Sequence, residues 1–431
     1  MFHPAPAHDP DHNPARNGDR LARSTTARTC GASTLSELLQ DSRARTLALL
    51  QAYAEALGPT LAVPYSTQIN PPLWEAGHIA WFQAYWIARN QQRALGVACD
   101  PAHVRPPCHL PQADALYNSS EVPHATRWAL PLPDLAATRH YLASTLDDTL
   151  ALLSTLAHRP PDDTALYFYR LALFHEDMHA EAAIYMAQAL GISLPQTVRP
   201  PSPRCDAPPP AQLRVQAQHW QLGHTGPGFA FDNELQAHRV TVTAVDIDNQ
   251  AVRWSHYLPF VAAGGYTEAR WWSPQGWQWL AESALTAPRY LRPATGNSST
   301  GWETQSFGHW QPLDPHVAAV HLTQFEAEAW CRWAGRRLPT EAEWEAAALT
   351  TPGFQWGEVW EWTASPFTAF PGFTAHPYRD YSAPWFGSRP VLRGACAATA
   401  PRMAHPKYRN YFTPERNDVF AGFRSCAVHS P

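Results

Sequence analysis

Hydrophobic positions in the first half of the chain recur with a helical period and are interrupted by proline and glycine. Residues 1–32 lack this period and are rich in Pro, Ala, His, Asp and Arg, which predicts a disordered tail. Thr34 and Glu37 form a capping-box pattern, which predicts the start of a first helix. Apolar side chains then follow at helical spacing: Leu47, Leu50, Ala54 and Leu57. Gly58, with a proline after it, predicts the end of this helix.

Three further helices follow from the same kind of pattern. Asn70, followed by a proline, predicts the start of the second helix. The third covers residues 134–156, and the fourth begins after Asp162 and stops at Gly191. Four amphipathic helices indicate a helical bundle, which we assign to residues 33–194.

The pattern changes in the second half of the chain. Many prolines at residues 195–212 predict a stiff linker and a domain boundary. Beyond it, short runs of alternating polarity such as residues 238–242 predict strands. One strong helix is expected over residues 323–334 and a shorter one after Thr340. Residues 213–431 are therefore predicted to form an irregular α+β domain, so the fold class is an α+β two-domain protein.

Composition supports two packed domains and excludes several classes of partner. The chain of 431 residues exceeds one ordinary core, and a hydrophobic fraction of 45% is ample for two. A formal charge of -5 gives no reason to expect nucleic acid or an anionic membrane as a partner. Seven scattered cysteines without a C-x-x-C pair predict neither a disulfide framework nor a thiolate metal site. No apolar run is long enough to span a bilayer, so we expect a soluble, cytoplasmic protein.

Candidate chemistry lies on the second and fourth predicted helices. His175 and His179 form the pattern H-x-x-x-H-x-E, and two residues at i and i+4 project from the same helix face. His78 lies among apolar residues of the second helix, where a solvated polar side chain would be out of place. Three neutral imidazoles suit Zn, Fe or Cu. With 21 histidines in the chain, a purely structural role for the pair stays open.

Several segments of the second domain are more specific than the histidine pattern. They are, in order, Phe231-Asp232-Asn233-Glu234, Gly335-Arg336-Arg337-Leu338-Pro339-Thr340-Glu341-Ala342-Glu343-Trp344-Glu345, Trp360-Glu361-Trp362-Thr363, Val391-Leu392-Arg393-Gly394 and Ala421-Gly422-Phe423-Arg424. Their order and spacing resemble the formylglycine-generating-enzyme type of C-type-lectin-like fold. That oxidase works through a pair of cysteines near the end of the fold, an arrangement that Cys396 and Cys426 lack. We expect Cys396 to be an ordinary buried thiol.

The combination of the two domains is similar to the sulfoxide synthases of ergothioneine and ovothiol biosynthesis and to the selenoneine synthases. The resemblance covers residues 34–428 and implies an N-terminal DinB-like four-helix bundle followed by a formylglycine-generating-enzyme-like domain. It implies non-haem Fe(II) held by His78, His175 and His179, with O2 as co-substrate. Such enzymes join the imidazole carbon of hercynine to sulfur or selenium. Glu181 is expected to pack or to support the site rather than to bind iron.

Two tyrosines match the family's substrate site. Tyr378 corresponds to the catalytic tyrosine, a proton donor, and Tyr381 to a residue lining the hercynine pocket. The alternative is that both are ordinary aromatic residues of a loop. A trimethylammonium group neither donates nor accepts a conventional hydrogen bond, so aromatic faces are its natural partners.

Departures from the family pattern concern the chalcogen donor. Ergothioneine synthases that use γ-glutamylcysteine carry Asn-Trp-Asp followed by Arg, whereas this chain has Asn410, Tyr411 and Phe412 followed by Arg416. An apolar ring at Phe412 cannot satisfy an ammonium group. Met178 likewise stands where many ergothioneine synthases carry Gln. The C-terminal segment is most similar to selenoneine synthases, which take a selenosugar, and a Tyr/Phe pair could stack on a sugar face.

The resemblance and the residues together predict a selenoneine synthase with Tyr381, Tyr411, Phe412 and Arg416 as substrate-binding residues. Its nearest rival is an ergothioneine-type synthase that uses cysteine or γ-glutamylcysteine. A zinc-dependent thiol transferase would use the same histidines but leaves the second domain without a role. A lectin-like binding protein with structural histidines is the non-enzymatic alternative.

Overall fold

A helical domain forms the first half of the protein. The computed structural model describes residues 15–201, 210–296 and 298–428. The helices of this domain are α1 (Ala15–Thr29), α2 (Ala32–Leu57), α3 (Pro72–Gln83), α4 (Ala113–Tyr117), α5 (Leu135–Ser154) and α6 (Asp163–Leu190). Helices α2 and α3 each pack against both α5 and α6. This arrangement confirms the predicted four-helix bundle and buries an apolar core between the helices.

Helix boundaries follow the predicted local signals, with one exception. The Asp162 side chain accepts hydrogen bonds from the first turn of α6, and Gly191 ends the helix in the left-handed conformation at φ 69°. The predicted capping box at Thr34 and Glu37 is wrong. Helix α2 begins two residues earlier, after Gly31, so Thr34 lies inside its first turn and does not precede it.

The second domain combines short strands with four helices. Its strands are β1 (Gln212–Val215), β2 (Gln218–Leu222), β3 (His238–Val242), β4 (Val245–Asp248), β5 (Leu291–Pro293), β6 (Trp302–Ser306), β7 (His309–Pro312), β8 (Arg336–Arg337), β9 (Trp360–Pro366), β10 (Pro390–Gly394), β11 (Asn410–Tyr411), β12 (Ala421–Gly422) and β13 (Cys426–Ala427). Its helices are α7 (Trp254–Ala262), α8 (Pro274–Ser283), α9 (Gln324–Trp333) and α10 (Glu341–Thr350). The mixture confirms the α+β prediction.

Four small sheets build this domain. Their strand orders are β1-β4-β13-β8, β11-β10-β9-β12, β2-β3 and β5-β6-β7. Strand β9 pairs antiparallel with β10 and parallel with β12. Buried ion pairs support this irregular build: Arg393 with Glu345, Arg409 with Glu341, and Arg424 with Glu361. Apart from Arg409, these residues belong to the motif segments of the second domain, which thus form part of its scaffold.

The predicted disordered tail is wrong from residue 15 onward. Helix α1 packs against the second domain, and the buried Arg28 guanidinium donates to the Glu234 carboxylate at 2.9 and 3.1 Å. Asn17 also donates to the backbone carbonyl of Phe354 at 2.7 Å. The helix is held by polar contacts and lacks an apolar stripe, so hydrophobic periodicity did not reveal it. Residues 1–14 lie outside the described residues.

The linker predicted at residues 195–212 falls between the last helix of the bundle and the first strand. Helix α6 ends at Leu190 and β1 begins at Gln212. Residues 202–209 of this stretch lie outside the described residues, so its stiffness stays a prediction.

Polar contacts join the two domains beside α6. The Arg402 guanidinium donates to both carboxylate oxygens of Asp177, at 2.7 and 2.8 Å. Trp360 donates its indole N–H to Glu181 at 2.6 Å, so Glu181 packs between the domains as expected. Cys396 is buried with its sulfur 3.3 Å from the Thr399 hydroxyl, as expected of a structural thiol.

The structure also describes the state of the cysteines and the apolarity of the helices. All six cysteines among the described residues are free thiols. Across the described ranges, no helix has the length and apolarity needed to cross a membrane.

Replacing Arg28 with Met should destabilise the protein. The substitution leaves Glu234 as an uncompensated buried carboxylate, and breaking a buried pair in this way costs about 3–5 kcal/mol. The midpoint of urea denaturation should fall accordingly. The matched control is Arg23→Met on the same helix, whose pair with Asp19 is exposed and should change stability by only about 0.5 kcal/mol. Equal midpoints for the two variants would show that α1 is not part of the folded core.

Candidate metal centre

Two helices bring the three predicted histidines together. His78 lies on α3, while His175 and His179 lie one turn apart on α6. The ring centroids of His78 are 5.0 Å from each of the other two, which are 4.4 Å from each other. One nitrogen from each ring lies within 4.8 Å of the other two. The packing of α3 on α6 therefore creates a compact cluster of three imidazoles.

Hydrogen bonds fix the orientation of two of these rings. The Nδ1 atom of His78 is 2.8 Å from the backbone carbonyl of Tyr117, and Nδ1 of His179 contacts the Glu75 carboxylate. A carbonyl and an ionised carboxylate only accept hydrogen bonds, so both Nδ1 atoms carry the proton. A ring that carries its proton at Nδ1 alone presents an unprotonated Nε2 atom, which is the form that binds a metal.

Burial and neighbouring groups shift the pKa values of two histidines and one carboxylate. Burial lowers the pKa of His78 to about 3 and that of His175 well below its usual range. Burial alone would raise the Glu75 pKa, but the adjoining His179 outweighs it and lowers the value to about 2. At neutral pH His78 and His175 are therefore uncharged, and Glu75 is an anion beside His179.

The residues present fit a metal ion. The Nε2 atoms of His175 and His179 are 3.2 Å apart. Two nitrogens bound at about 2.1 Å from one ion would be separated by about 3 Å, so little movement is needed. The Glu75 and Tyr117 contacts are those that commonly orient metal-binding histidines. Three ligands leave coordination positions open, as in catalytic centres.

Aromatic rings form one wall of the centre. Phe82 stacks on His175 with centroids 3.5 Å apart, and Trp74 stacks on His78 at 4.9 Å. Tyr378 of the second domain meets Phe82 edge to face at 4.9 Å and lies 6.2 Å from His175. Burial raises the pKa of Tyr378, so its hydroxyl keeps its proton at neutral pH. The predicted proton donor thus lies beside the histidines.

Tyr381 lies behind Tyr378 and is almost fully buried. Its ring stacks on Phe231 at 4.4 Å, and its hydroxyl donates to the Tyr408 hydroxyl at 3.1 Å. Tyr408 in turn donates to the Met178 sulfur at 3.4 Å. This chain of contacts connects Tyr381 to the residue directly before His179. Its geometry gives Tyr381 a supporting position, with its hydroxyl already engaged.

Tyr411 and Phe412 point in different directions. Tyr411 stacks on Phe367 at 4.0 Å, and its hydroxyl donates to the backbone carbonyl of Tyr381. Phe412 instead meets Tyr185 edge to face at 6.4 Å. Phe412 lies beyond the end of β11, and the two rings contact different partners. The joint stacking of the two rings on one sugar face stays a prediction.

Arg416 lies beside Phe412 and is already paired. Its guanidinium carbon is 5.1 Å from the Phe412 ring centroid and 5.4 Å from that of Tyr185. Both Nε and Nη2 of Arg416 donate to the Asp418 carboxylate, at 2.5 and 2.7 Å. Tyr185 lies six residues beyond His179 on α6, a rise of about 9 Å. Phe412, Arg416 and Tyr185 thus form a second wall, which we call the distal wall.

Sequence reasoning missed Glu75 and Tyr185. Glu75 precedes His78 by three residues on the same helix, and this spacing was a usable signal for a supporting carboxylate. Tyr185 carries no such signal, because its position depends on how the second domain packs on α6.

Comparisons with known proteins agree with the two-domain division. The sequence pattern of the DinB superfamily matches residues 38–183, and that of the Sulfatase-modifying factor enzyme 1-like domain matches residues 197–356. A formylglycine-generating enzyme from Streptomyces coelicolor is 28% identical over 53% of this chain and 96% of its own length.

Relatives that span both domains identify the family. The hercynine oxygenase of Mycolicibacterium smegmatis is 31% identical over 91% of this chain and 98% of its own length. The hercynine oxygenase of Mycobacterium tuberculosis is 31% identical over 90% of this chain and 96% of its own length. The fold and the histidine cluster define a two-domain protein with a candidate metal centre. The chain belongs to the hercynine oxygenase family.

Replacing Glu75 with Gln should weaken metal binding. The amide cannot hold the His179 ring as a carboxylate does, and loss of such a partner typically lowers metal affinity by about 10–100-fold. Anaerobic titration with Fe(II) would measure the change. Glu37→Gln, an exposed position on α2, is the matched control and should bind as the unmodified protein does. An unchanged Fe(II) affinity in Glu75→Gln would show that the Glu75 carboxylate does not support metal binding.

Proposed function

We propose that this protein is an O2-dependent Fe(II) enzyme that forms a C–Se bond between the imidazole of hercynine and a selenosugar. The observation that carries the proposal is the convergence of three imidazoles beside Tyr378 and near a distal wall that has an apolar ring and an arginine already paired with Asp418. The reaction joins a C–H carbon to a selenol, which releases two electrons and two protons. O2 is the acceptor of these electrons.

The histidine cluster is the proposed iron site. Fe(II) held by His78, His175 and His179 would supply one place where O2, an imidazole and a chalcogen donor meet. Glu75 and the Tyr117 carbonyl hold two of the rings so that their unprotonated nitrogens face this point. Preassembly of three reactants replaces an improbable encounter in solution.

Tyr378 is the proposed proton donor. It lies against Phe82, the ring that stacks on His175, so the ring of Tyr378 lies next to the proposed iron ligands. Its raised pKa keeps the proton in place until a more basic group forms. The surrounding rings also favour a trimethylammonium group such as that of hercynine.

The distal wall supports a neutral donor. γ-Glutamylcysteine carries one ammonium and two carboxylates, and each needs an opposite charge or hydrogen-bonding partners. Phe412 offers none, and the charge of Arg416 is compensated by Asp418 within the protein. A selenosugar brings apolar ring faces and hydroxyls and no fixed charge, which matches these surroundings better.

Product analysis tests the proposal. Protein loaded anaerobically with Fe(II) would receive hercynine, O2 and equal amounts of a 1-seleno-sugar, γ-glutamylcysteine and cysteine, with products read by mass spectrometry. We expect a hercynine–selenium adduct as the main product. A sulfur adduct would instead establish the ergothioneine-type reaction. Absence of every adduct would contradict the iron assignment.

Substitution of His179 by Ala helps to distinguish the proposed iron enzyme from a thiol transferase and from a binding protein. We expect it to abolish turnover, while His158→Ala, an exposed histidine of the same domain, should keep full activity. Turnover with Zn(II) and without O2 consumption would favour a thiol transferase. Unchanged hercynine binding in variants of all three histidines, without turnover in the native protein, would favour a binding protein.

Replacing Phe412 with Asp should change donor preference. The new carboxylate would lie near the Arg416 guanidinium and could engage an ammonium group. The share of product formed from γ-glutamylcysteine should therefore rise, and the share formed from the selenosugar should fall. The ratio of the two products in competition would measure the shift, with a change of about tenfold for one charged hydrogen bond. Phe412→Leu keeps the site apolar and is the control. The same ratio in both variants would mean that Phe412 does not face the donor.

A further inference from the structure

A second polar cluster lies at the junction of the two domains. Nη1 of Arg289 donates to the side-chain oxygen of Gln68 at 3.2 Å and to that of Asn417 at 3.0 Å. Gln68 belongs to the loop before α3, and Asn417 lies between Arg416 and Asp418 in sequence. The Arg289 cluster, as we call it, therefore connects the histidine-bearing domain to the distal wall.

Arg289 differs from Arg416 in having no acidic partner. Within the part of the chain that the structure describes, Arg289 forms no ion pair, and its Nε and Nη2 groups make no hydrogen bond. Its guanidinium lies half-buried beside the Tyr290 ring, 5.1 Å from the centroid. The amides of Gln68 and Asn417 thus hold the guanidinium in place through Nη1, and its Nε and Nη2 groups are available to donate to another molecule.

Tyr290 supplies an independent sign of a missing partner. Only 6% of this residue is exposed, and its hydroxyl has no hydrogen-bond partner among the described residues. The ring packs against His321 at 4.7 Å, which fixes its orientation. A buried hydroxyl without a partner is costly, so such a group commonly marks a site completed by a ligand or water.

Two segments of the chain connect this cluster with the surroundings of the metal centre. On one side, Gln68 lies two residues before Asn70, whose amide donates to Glu75, the partner of His179. On the other side, Asn417 precedes Asp418 in sequence, and Asp418 holds Arg416 against Tyr185 on the same helix as His179. The Arg289 cluster is therefore bound to the segment that carries Arg416 of the distal wall.

We infer that Arg289 and Tyr290 bind the hydroxyl groups of a neutral sugar donor and determine donor specificity. This inference rests on the proposed function and extends it to residues outside the histidine cluster. A hydroxyl both donates and accepts, and the cluster offers both kinds of partner through a guanidinium, a phenol and two amides. The rings of Phe412 and Tyr185 contact each other and Arg416, and they suit the apolar faces of a sugar.

Equilibrium binding to anaerobic Fe(II)-loaded protein tests this inference. The probes are 1-thio-β-D-glucose and L-cysteine, measured by calorimetry. Both carry a thiol, so any contribution from a sulfur–metal bond cancels when the two affinities are compared. The variants are Arg289→Met, which keeps the length of the side chain, and Tyr290→Phe, which removes only the unpartnered hydroxyl. Arg270→Met, an exposed arginine of the same domain, is the control.

We expect each variant to weaken binding of thioglucose by about tenfold, the effect of losing one charged or buried hydrogen bond, while cysteine binding stays the same. Tyr290→Phe should fold normally, because the lost hydroxyl has no hydrogen-bond partner among the residues that the structure describes. Equal weakening of both probes would assign a purely structural role, and selective weakening of cysteine would make the cluster a carboxylate site. Either result, or unchanged binding, overturns the inference.

These outcomes are separate from those of the product assay. The Arg289 and Tyr290 variants could lose thioglucose binding selectively while the product assay yields a sulfur adduct. This result would support the sugar site and contradict the proposed C–Se reaction. A selenium product from protein whose variants bind both probes normally would keep the reaction and reject the role of Arg289 and Tyr290.

Discussion

The contact between His179 and Glu75 is the interaction on which the rest of the site depends. It joins α6 to α3, fixes the proton on the outer nitrogen of His179 and leaves the inner one unprotonated. The Nε2 atoms of His175 and His179 lie 3.2 Å apart, where two lone pairs would repel unless a proton or a cation lies between them. A metal ion bound by both nitrogens would remove this repulsion, as would a proton on Nε2 of a neutral His175.

The second domain completes the site because it is held firmly against the bundle. Arg402 pairs with Asp177 on α6, and Arg28 of the first helix pairs with Glu234 of the second domain. Both carboxylates are buried, so separation of the domains would leave uncompensated charge. These two ion pairs hold the domains together, so that Tyr378 lies against the ring that stacks on His175 and Phe412 lies opposite Tyr185. Each of the two walls thus combines residues of both domains.

Much of this arrangement could be predicted from the sequence, and the failures have physical reasons. The bounds of α6 followed from Asp162 and Gly191, and helical spacing placed His175 and His179 on one face. Helix α1 was missed because polar contacts with the second domain, and not an apolar stripe, hold it in place. Local spacing also cannot show that Tyr411 and Phe412 turn to different partners, since this depends on pairing within the sheet.

X-ray absorption spectroscopy of the Fe(II)-loaded protein tests the central claim most directly. Three imidazole nitrogens at about 2.1 Å, with solvent oxygen in the remaining positions, are expected if the histidine cluster is the iron site. Addition of hercynine should add one more imidazole to the iron shell. A shell of oxygen ligands alone, or one containing sulfur before any donor is added, would contradict the assignment of iron to His78, His175 and His179.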